Sequence, residues 1–140
     1  QGLINCHNDC KNVLIHDAAR PLVNQRIIDD NIYNLNKYDS VIPVISNNDS
    51  LINFQTMKYV DRSLIKKIQT PQGFKYKLIL NTYNKFIDLQ LNSHDLFKDD
   101  LSLVLNYSNN IKYLLYDGDR LNFKITNKED IVKLKFLLKC

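Results

Sequence analysis

Apolar residues along this chain change their spacing repeatedly, and each change marks an element. Val13-Leu14-Ile15 is an unbroken aliphatic run without alternation. That is the pattern of a strand covered on both faces, as in a parallel sheet. Ile27, Ile28, Ile32 and Leu35 then share one face at helical spacing, with Asn24 in position to cap the helix they predict. Ser40-Val41-Ile42-Pro43-Val44-Ile45 reads as a second covered strand. Its Pro43 has no N–H to donate and so demands an edge, a bulge or the strand end. Tyr76, Ile79, Leu80, Tyr83 and Phe86 predict a longer amphipathic helix. Leu101, Val104 and Leu105 predict a short one, with Asp99 and Asp100 at its amino end, where acids suit the dipole. The intervening residues 89–98 read as a polar connection. Residues 111–116 predict another strand and residues 122–125 a short extended piece. Thr126 and Glu129 then form a capping box that opens a last helix.

Residues 46–68 break this rhythm. Turn residues (Asn47-Asn48-Asp49) mix with β-prone pieces around Leu51 and Met57, and no helical stripe forms. The segment predicts a hairpin arm projecting from the sheet. Such an arm, unable to bury both faces at home, packs on another surface. Strands otherwise alternate with helices, which predicts an α/β fold: a mostly parallel, Rossmann-like sheet with flanking helices and a projecting β-hairpin arm. No repeat or linker interrupts the chain, so residues 1–140 read as one domain.

Composition narrows the class. With 140 residues the chain is long enough for one domain with a real core. Its 19 basic and 15 acidic residues leave a net charge of +4. That suits anionic substrates and is too weak and too scattered to argue for nucleic acid. No apolar run reaches the length of a membrane span, and the start lacks a signal-peptide pattern, so a soluble cytoplasmic protein is expected. The three cysteines do not describe a disulfide framework. Cys6, His7, Cys10 and His16 have poor spacing for structural zinc.

The candidate chemistry sits just after the first strand, in His16-Asp17-Ala18-Ala19-Arg20-Pro21. Ligands of open α/β sheets bind at the carboxyl ends of strands, which is where Asp17 falls. A carboxylate offers hard oxygens suited to magnesium, and a guanidinium is built for bidentate contact with phosphate. The two together point to metal–phosphate chemistry, although an Asp–Arg pair in a loop also reads as a structural ion pair. Neither G-x-x-x-x-G-K nor G-x-G-x-x-G occurs.

Four stretches occur in order: Val13-Leu14-Ile15-His16-Asp17-Ala18-Ala19-Arg20-Pro21, Val60-Asp61-Arg62, Gln69-Thr70-Pro71-Gln72-Gly73-Phe74, and Asn122-Phe123-Lys124-Ile125-Thr126 with Glu129-Asp130. Together they resemble the 2-C-methyl-D-erythritol 4-phosphate cytidylyltransferase family, CTP-using enzymes of non-mevalonate isoprenoid synthesis. The resemblance covers about residues 11–138. It implies that a partial nucleotidyltransferase domain is present, matching the later part of such enzymes. The family's glycine-rich loop, which wraps the triphosphate, has no counterpart here, since Gly2, Gly73 and Gly118 are isolated. The chain is therefore expected to be an amino-terminally truncated product with little activity alone.

By that resemblance, Asp17 is a catalytic residue and ligates Mg2+, and Lys124 is the catalytic cation against the α-phosphate. Arg20, Arg62, Thr70 and Ser50 are substrate-binding. The arm, residues 46–68, makes a homodimer in which Arg62 completes the neighbour's site. The implied partners are CTP and a polyol or sugar phosphate, with no nucleic acid and no membrane. His16 is expected to be a structural loop histidine. Two departures loosen the choice of acceptor. Ser50 stands where the family has Thr, and Lys98 stands where it has Thr before two acids. A ribitol 5-phosphate cytidylyltransferase is one alternative, and a non-catalytic dimerising remnant is another.

Overall fold

The computed structural model describes residues 2–88 and 97–139. Seven strands and four α-helices follow one another as β1 (Asn12–Ile15), α1 (Gln25–Asn34), β2 (Ser40–Ser46), β3 (Leu51–Asn53), β4 (Lys58–Val60), β5 (Lys66–Ile68), β6 (Gln72–Lys75), α2 (Tyr76–Asp88), α3 (Asp100–Tyr107), β7 (Tyr113–Asp117) and α4 (Lys128–Leu137). Single 3-10 turns cover Leu3–Asn5 and Arg62–Leu64.

The α/β class holds, and the sheet is mixed where a mostly parallel one was expected. Its five strands run β1-β6-β2-β5, with β7 on the other edge of β2. Only β2 and β7 pair in parallel, while β6 lies antiparallel between β1 and β2. An apolar run reports coverage and not direction, so β1 gave no hint that its neighbour runs the other way. β1 is also half-buried, not covered on both faces.

Helices cover both faces, and side-chain alternation shows how. Val13 and Ile15 on β1, Phe74 on β6, and Ile42 and Val44 on β2 meet Ile79 of α2 and Leu101 and Val104 of α3 in the main core. The opposite parity faces α1. There Gly73 lies so close to Asn31 and Leu35 that a Cβ would stand 2.6 Å from Asn31 Oδ1. Asn24 caps α1 as its position predicts, accepting from the Ile27 N–H at 3.0 Å. The buried stripe runs from Ile27 and Asn31 of α1 to Leu35 at its C-cap, whereas Ile32 is exposed. Asn31 takes its place by donating to Pro71 O, Ile27 O and Tyr116 Oη.

β5 and β6 are one returning stretch broken by a bulge. Between the pairs Val41–Gly73 and Val44–Ile68, β2 has two residues and the returning chain has four, residues 69–72. The Thr70–Pro71 peptide within it is cis. Pro43 faces this bulge, because its carbonyl accepts the Gln69 N–H at 2.9 Å. N–H and C=O of one strand residue point to the same edge, so the missing donor of Pro43 costs no ladder bond.

The arm is smaller than expected. Ser46 still belongs to β2, and residues 66–68 return to the main sheet. What projects is the β3–β4 hairpin, a separate two-stranded sheet. Asn53 Oδ1 accepts from the N–H groups of Gln55 and Thr56, which closes its tip. The last helix also differs by one position. Asn127 is its cap and Asp130 the reciprocal partner, in place of Thr126 and Glu129. Residues 122–125 form no strand. The polar connection expected at residues 89–98 falls mostly outside the described residues.

Candidate functional site

Three chain segments meet at the end of β1. The first is the loop of residues 16–20, the second is the bulge of residues 69–72, and the third is the segment of residues 117–125 after β7. Asp17 is their meeting point. Its N–H donates to Thr70 Oγ1 at 2.9 Å. Its Oδ2 receives Arg20 Nε at 3.3 Å and Lys124 Nζ at 3.2 Å. Asp17 and Lys124, which are 107 positions apart in the numbering, are thus brought together.

Each cation is aimed by backbone. Arg20 is nearly buried and donates a second time, from Nη1 to Asn122 O at 2.9 Å. Its own N–H closes a turn onto Asp17 O, and Ala19 O accepts the Ile125 N–H at 2.8 Å. That last bond brings residue 124 alongside the Asp17 loop. Beyond it, Thr126 donates twice to Asp130 Oδ2, and these bonds, the backbone one above all, hold that carboxyl below its usual range. The start of α4 is thus fixed directly after Lys124.

His16 is the expected loop histidine, and its bonding can be assigned. A carbonyl only accepts, so the 3.0 Å contact between Nε2 and Arg20 O puts the ring proton on Nε2. Nδ1 is then the acceptor for the Thr70 hydroxyl at 2.9 Å. Thr70 donates to His16 and accepts from Asp17, which ties the bulge to the loop.

Gln69 and Asn122 were not singled out in the sequence, yet they hold the site together. Both are buried. Gln69 Nε2 donates to Asp119 O at 2.7 Å and Asn122 O at 3.0 Å, and its Oε1 accepts the Asp119 N–H at 3.1 Å. Asn122 returns the contact by donating from Nδ2 to Thr70 O at 2.7 Å. Gly118 packs against Gln69, and a Cβ there would overlap its Oε1. From outside, Arg26 of α1 donates to Asp117 O and Gly118 O. Amides carry no motif of their own. The available signal was their position beside Pro71 and inside the Asn122-Phe123-Lys124 stretch.

Two predicted residues stand apart. Arg62, at the foot of the arm, is exposed and donates to Asn48 O at 2.7 Å. Ser50 is exposed as well. Neither shares a described hydrogen bond or ion pair with the Asp17 cluster. Asp100 lies closer to it in electrostatic terms. Burial raises its carboxyl above the usual range, and the charges of Asp99 and Asp17 add to the rise. Tyr83 donates to its Oδ1 at 2.6 Å. Asp100 borders both a cavity of about 310 Å³ shared with Lys98 and an open groove of about 740 Å³ shared with His16. Asp17 and Lys124 line neither.

The donor set fits Mg2+ only in part, as a shared site. No group of three His, Cys, Asp or Glu able to hold a metal occurs among the described residues. Asp17 Oδ1, however, has no described partner, since both cations engage Oδ2. One free carboxylate oxygen suits an ion that takes its remaining ligands from water and substrate phosphates.

A strand-end acid flanked by two cations and locked by buried amides organises this α/β domain, and its solved neighbours make it a domain of the nucleotidyltransferase type. Known proteins agree in fold and in sequence. The chain belongs to the 2-C-methyl-D-erythritol 4-phosphate cytidylyltransferase family, whose description matches residues 1–140. The enzyme of that name from Thermosipho africanus is 38% identical over 122 residues, which is 85% of this chain and 51% of that protein. The one from Clostridium tetani is 35% identical, covering 86% of this chain and 48% of that protein. The 4-diphosphocytidyl-2C-methyl-D-erythritol synthase of Anaerococcus prevotii superposes with a TM-score of 0.85 at 29% identity, over 99% of this chain and 64% of that one. The chain spans about half the length of the curated relatives it matches.

Proposed function

We propose that this chain carries the metal- and acceptor-side part of a cytidylyltransferase that moves CMP from CTP to 2-C-methyl-D-erythritol 4-phosphate and releases pyrophosphate. The observation that carries the reading is the 3.2 Å approach of Lys124 to Asp17. Both side chains are substantially exposed, at 48% and 33%. A pair this open is worth at most about 1 kcal/mol, so an incoming phosphate can draw the ammonium away at small cost.

The acceptor phosphate attacks the α-phosphorus in line. It is already ionised at neutral pH, so no strong base is needed, and catalysis is alignment plus neutralisation of charge. Lys124 meets the α-phosphate oxygens. Arg20 stays on Asp17 and Asn122 and keeps the loop in shape. Asp17 Oδ1 would hold Mg2+, which would supply charge neutralisation to the nucleotide phosphates when bound. Arg62 and the hairpin are assigned to a second copy of the chain, with Arg62 completing that copy's acceptor site. Phe54, 87% exposed, and Tyr59, 82% exposed, give the arm an apolar surface for this contact. No helix among the described residues is long and apolar enough to cross a membrane, and a cytoplasmic location is part of the same reading.

Titrating the chain with magnesium-CTP and with 2-C-methyl-D-erythritol 4-phosphate, followed by NMR, tests this. Both ligands should shift signals of residues 16–20, 70 and 122–125, and Lys124→Ala should weaken CTP binding at least tenfold. Tighter binding of ribitol 5-phosphate would transfer the assignment to that acceptor, with Lys98 the residue to replace next. Unchanged binding in both Lys124→Ala and Asp17→Asn would remove the proposal.

A further inference from the structure

Asn48 stands at the root of the arm, between the end of β2 and the start of β3, and two guanidinium groups meet on it. Arg62 Nη1 donates to its backbone O at 2.7 Å, and Arg120 Nη2 donates to its Oδ1 at 2.9 Å. A guanidinium only donates, so the oxygen of the side-chain amide, and not its NH2 group, must face Arg120. Arg62 comes from the foot of the arm and Arg120 from the segment that also bears Lys124. One exposed residue therefore joins the two.

The Arg120 end of this link is firm. Gln69 holds the preceding residue, Asp119, through both its N–H and its carbonyl, and that carbonyl also accepts the Asn122 N–H at 3.0 Å. The two legs of the arm are tied to each other as well. Lys66 Nζ donates to Ser46 Oγ at 2.8 Å, and Lys67 Nζ lies 4.0 Å from Asp49 Oδ2. Arg62 is the exposed end, and a long side chain there samples many rotamers unless something holds it.

Charge is arranged along with position. An acid adjoins each of these three residues in sequence, and each acid is engaged elsewhere. Asp61 Oδ1 accepts from the N–H and the hydroxyl of Ser63 at 2.9 and 2.8 Å. Asp119 accepts from Asn24 Nδ2 and from the Leu121 N–H. Asp49 faces Lys67. Neither Arg62 nor Arg120 forms an ion pair with a carboxylate among the described residues. A carboxylate at position 48 would hold both cations and cancel part of their charge. The amide holds them and leaves that charge for an anion, and most N–H donors of Arg62 remain for it.

We propose that Asn48 and Arg120 are positioning residues for Arg62: Arg120 fixes Asn48, and Asn48 aims the Arg62 guanidinium, its charge uncancelled, at the phosphate of the acceptor. This rests on the acceptor role given to Arg62 above. Aiming the side chain beforehand removes ordering that the anion would otherwise impose as it binds. The two residues act as a unit. Removing either Arg120 or the Asn48 side chain frees the same loop and leaves the Asn48 backbone carbonyl in place.

The test measures binding of 2-C-methyl-D-erythritol 4-phosphate to the 140-residue chain by calorimetry, and follows the Arg62 Nε–H signal by NMR. With four arginines in the chain, that signal is assigned by single replacements. Arg62→Ala should weaken binding about tenfold or more. Arg120→Ala and Asn48→Ala should each weaken it about threefold to tenfold, and the double variant no further than either one. In all of these that retain Arg62, its signal should move toward that of free arginine. Arg120→Lys, which keeps a donor, should restore part of the affinity. Asn48→Asp separates aiming from support of the loop. It should leave the Arg62 signal restrained and still weaken binding about threefold, whereas for a residue that only supported the loop an acid would serve at least as well. Full affinity in Arg120→Ala or in Asn48→Asp, with Arg62→Ala weakened, would overturn the inference and leave the acceptor role of Arg62 standing. Unchanged affinity in Arg62→Ala would remove that role, and the inference with it.

Discussion

The bulge and the hairpin are close in sequence and opposite in construction. Residues 69–72 are stitched to two other loops by side chains that are almost wholly buried, with Gln69 alone making three bonds to residues 119 and 122. The β3–β4 hairpin is closed by its own tip, and Ile52, Phe54, Met57 and Tyr59 all stand exposed on it. One region is finished by this chain. The other presents apolar surface that this chain does not cover. The difference shows where precision is required: the loops that aim charges are fixed internally, while the arm leaves its apolar face open.

Removing a stitch should have the largest effect. Gln69→Ala leaves the Asp119 N–H without a partner, takes one of two donors from each of the Asp119 and Asn122 carbonyls and opens a gap between buried loops, and should cost about 2–4 kcal/mol in urea unfolding. Gly118→Ala should cost about 1–3 kcal/mol, because the new methyl meets Gln69. The double variant should cost less than the sum, since the shorter side chain makes room. Additive values would show that the contact between them is not the source of the penalty. Next comes Asn24→Ala, which removes the α1 cap and the 2.6 Å bond to Asp119. About 1–2 kcal/mol is expected by the same measurement.

A smaller effect concerns pH. Burial raises the Asp100 carboxyl, so the folded chain holds that proton more tightly than the unfolded chain does. The associated stability is full below the ordinary carboxyl value, about 4, and is lost as pH rises through the folded value. Asp100→Asn keeps an acceptor for Tyr83 and cannot ionise. It should therefore melt higher than the unaltered chain at pH 7 and show a shallower decline above pH 4 in a series of thermal scans. The smallest folding effect is expected on the arm, where Phe54→Ser should change unfolding free energy by less than about 0.5 kcal/mol. A cost equal to that of Gln69→Ala would mean that the hairpin is part of the core, and the contrast drawn above would fail.

The sequence revealed the charged part of the site and hid the scaffold that aims it. Asp17 was readable because it falls at a strand end, and Lys124 only through the ordered stretches that carry the family resemblance. Asn24 was readable because a cap has a fixed offset from the first apolar turn. β6 was obscured by Pro71 and Gly73, which look like loop residues. In the fold, Pro71 sits in the bulge, and Gly73 is needed because Asn31 comes so close. Gln69 and Asn122 were obscure for a related reason. Their partners are backbone groups of distant residues, and no local pattern records such a contact. The last cap was misplaced by one residue because Thr126 and Asn127 are both good caps with an acid three positions on.

Pro43 acts as an index pin for the sheet. A strand whose middle residue cannot donate tolerates only a partner that asks for no bond there, and residues 69–72 supply that gap. Sliding the returning stretch by one position would put an N–H-seeking carbonyl opposite the ring and would turn the Thr70 hydroxyl to the far side of the sheet. An imino acid 26 positions from Asp17 therefore keeps the frame in which that carboxylate is read.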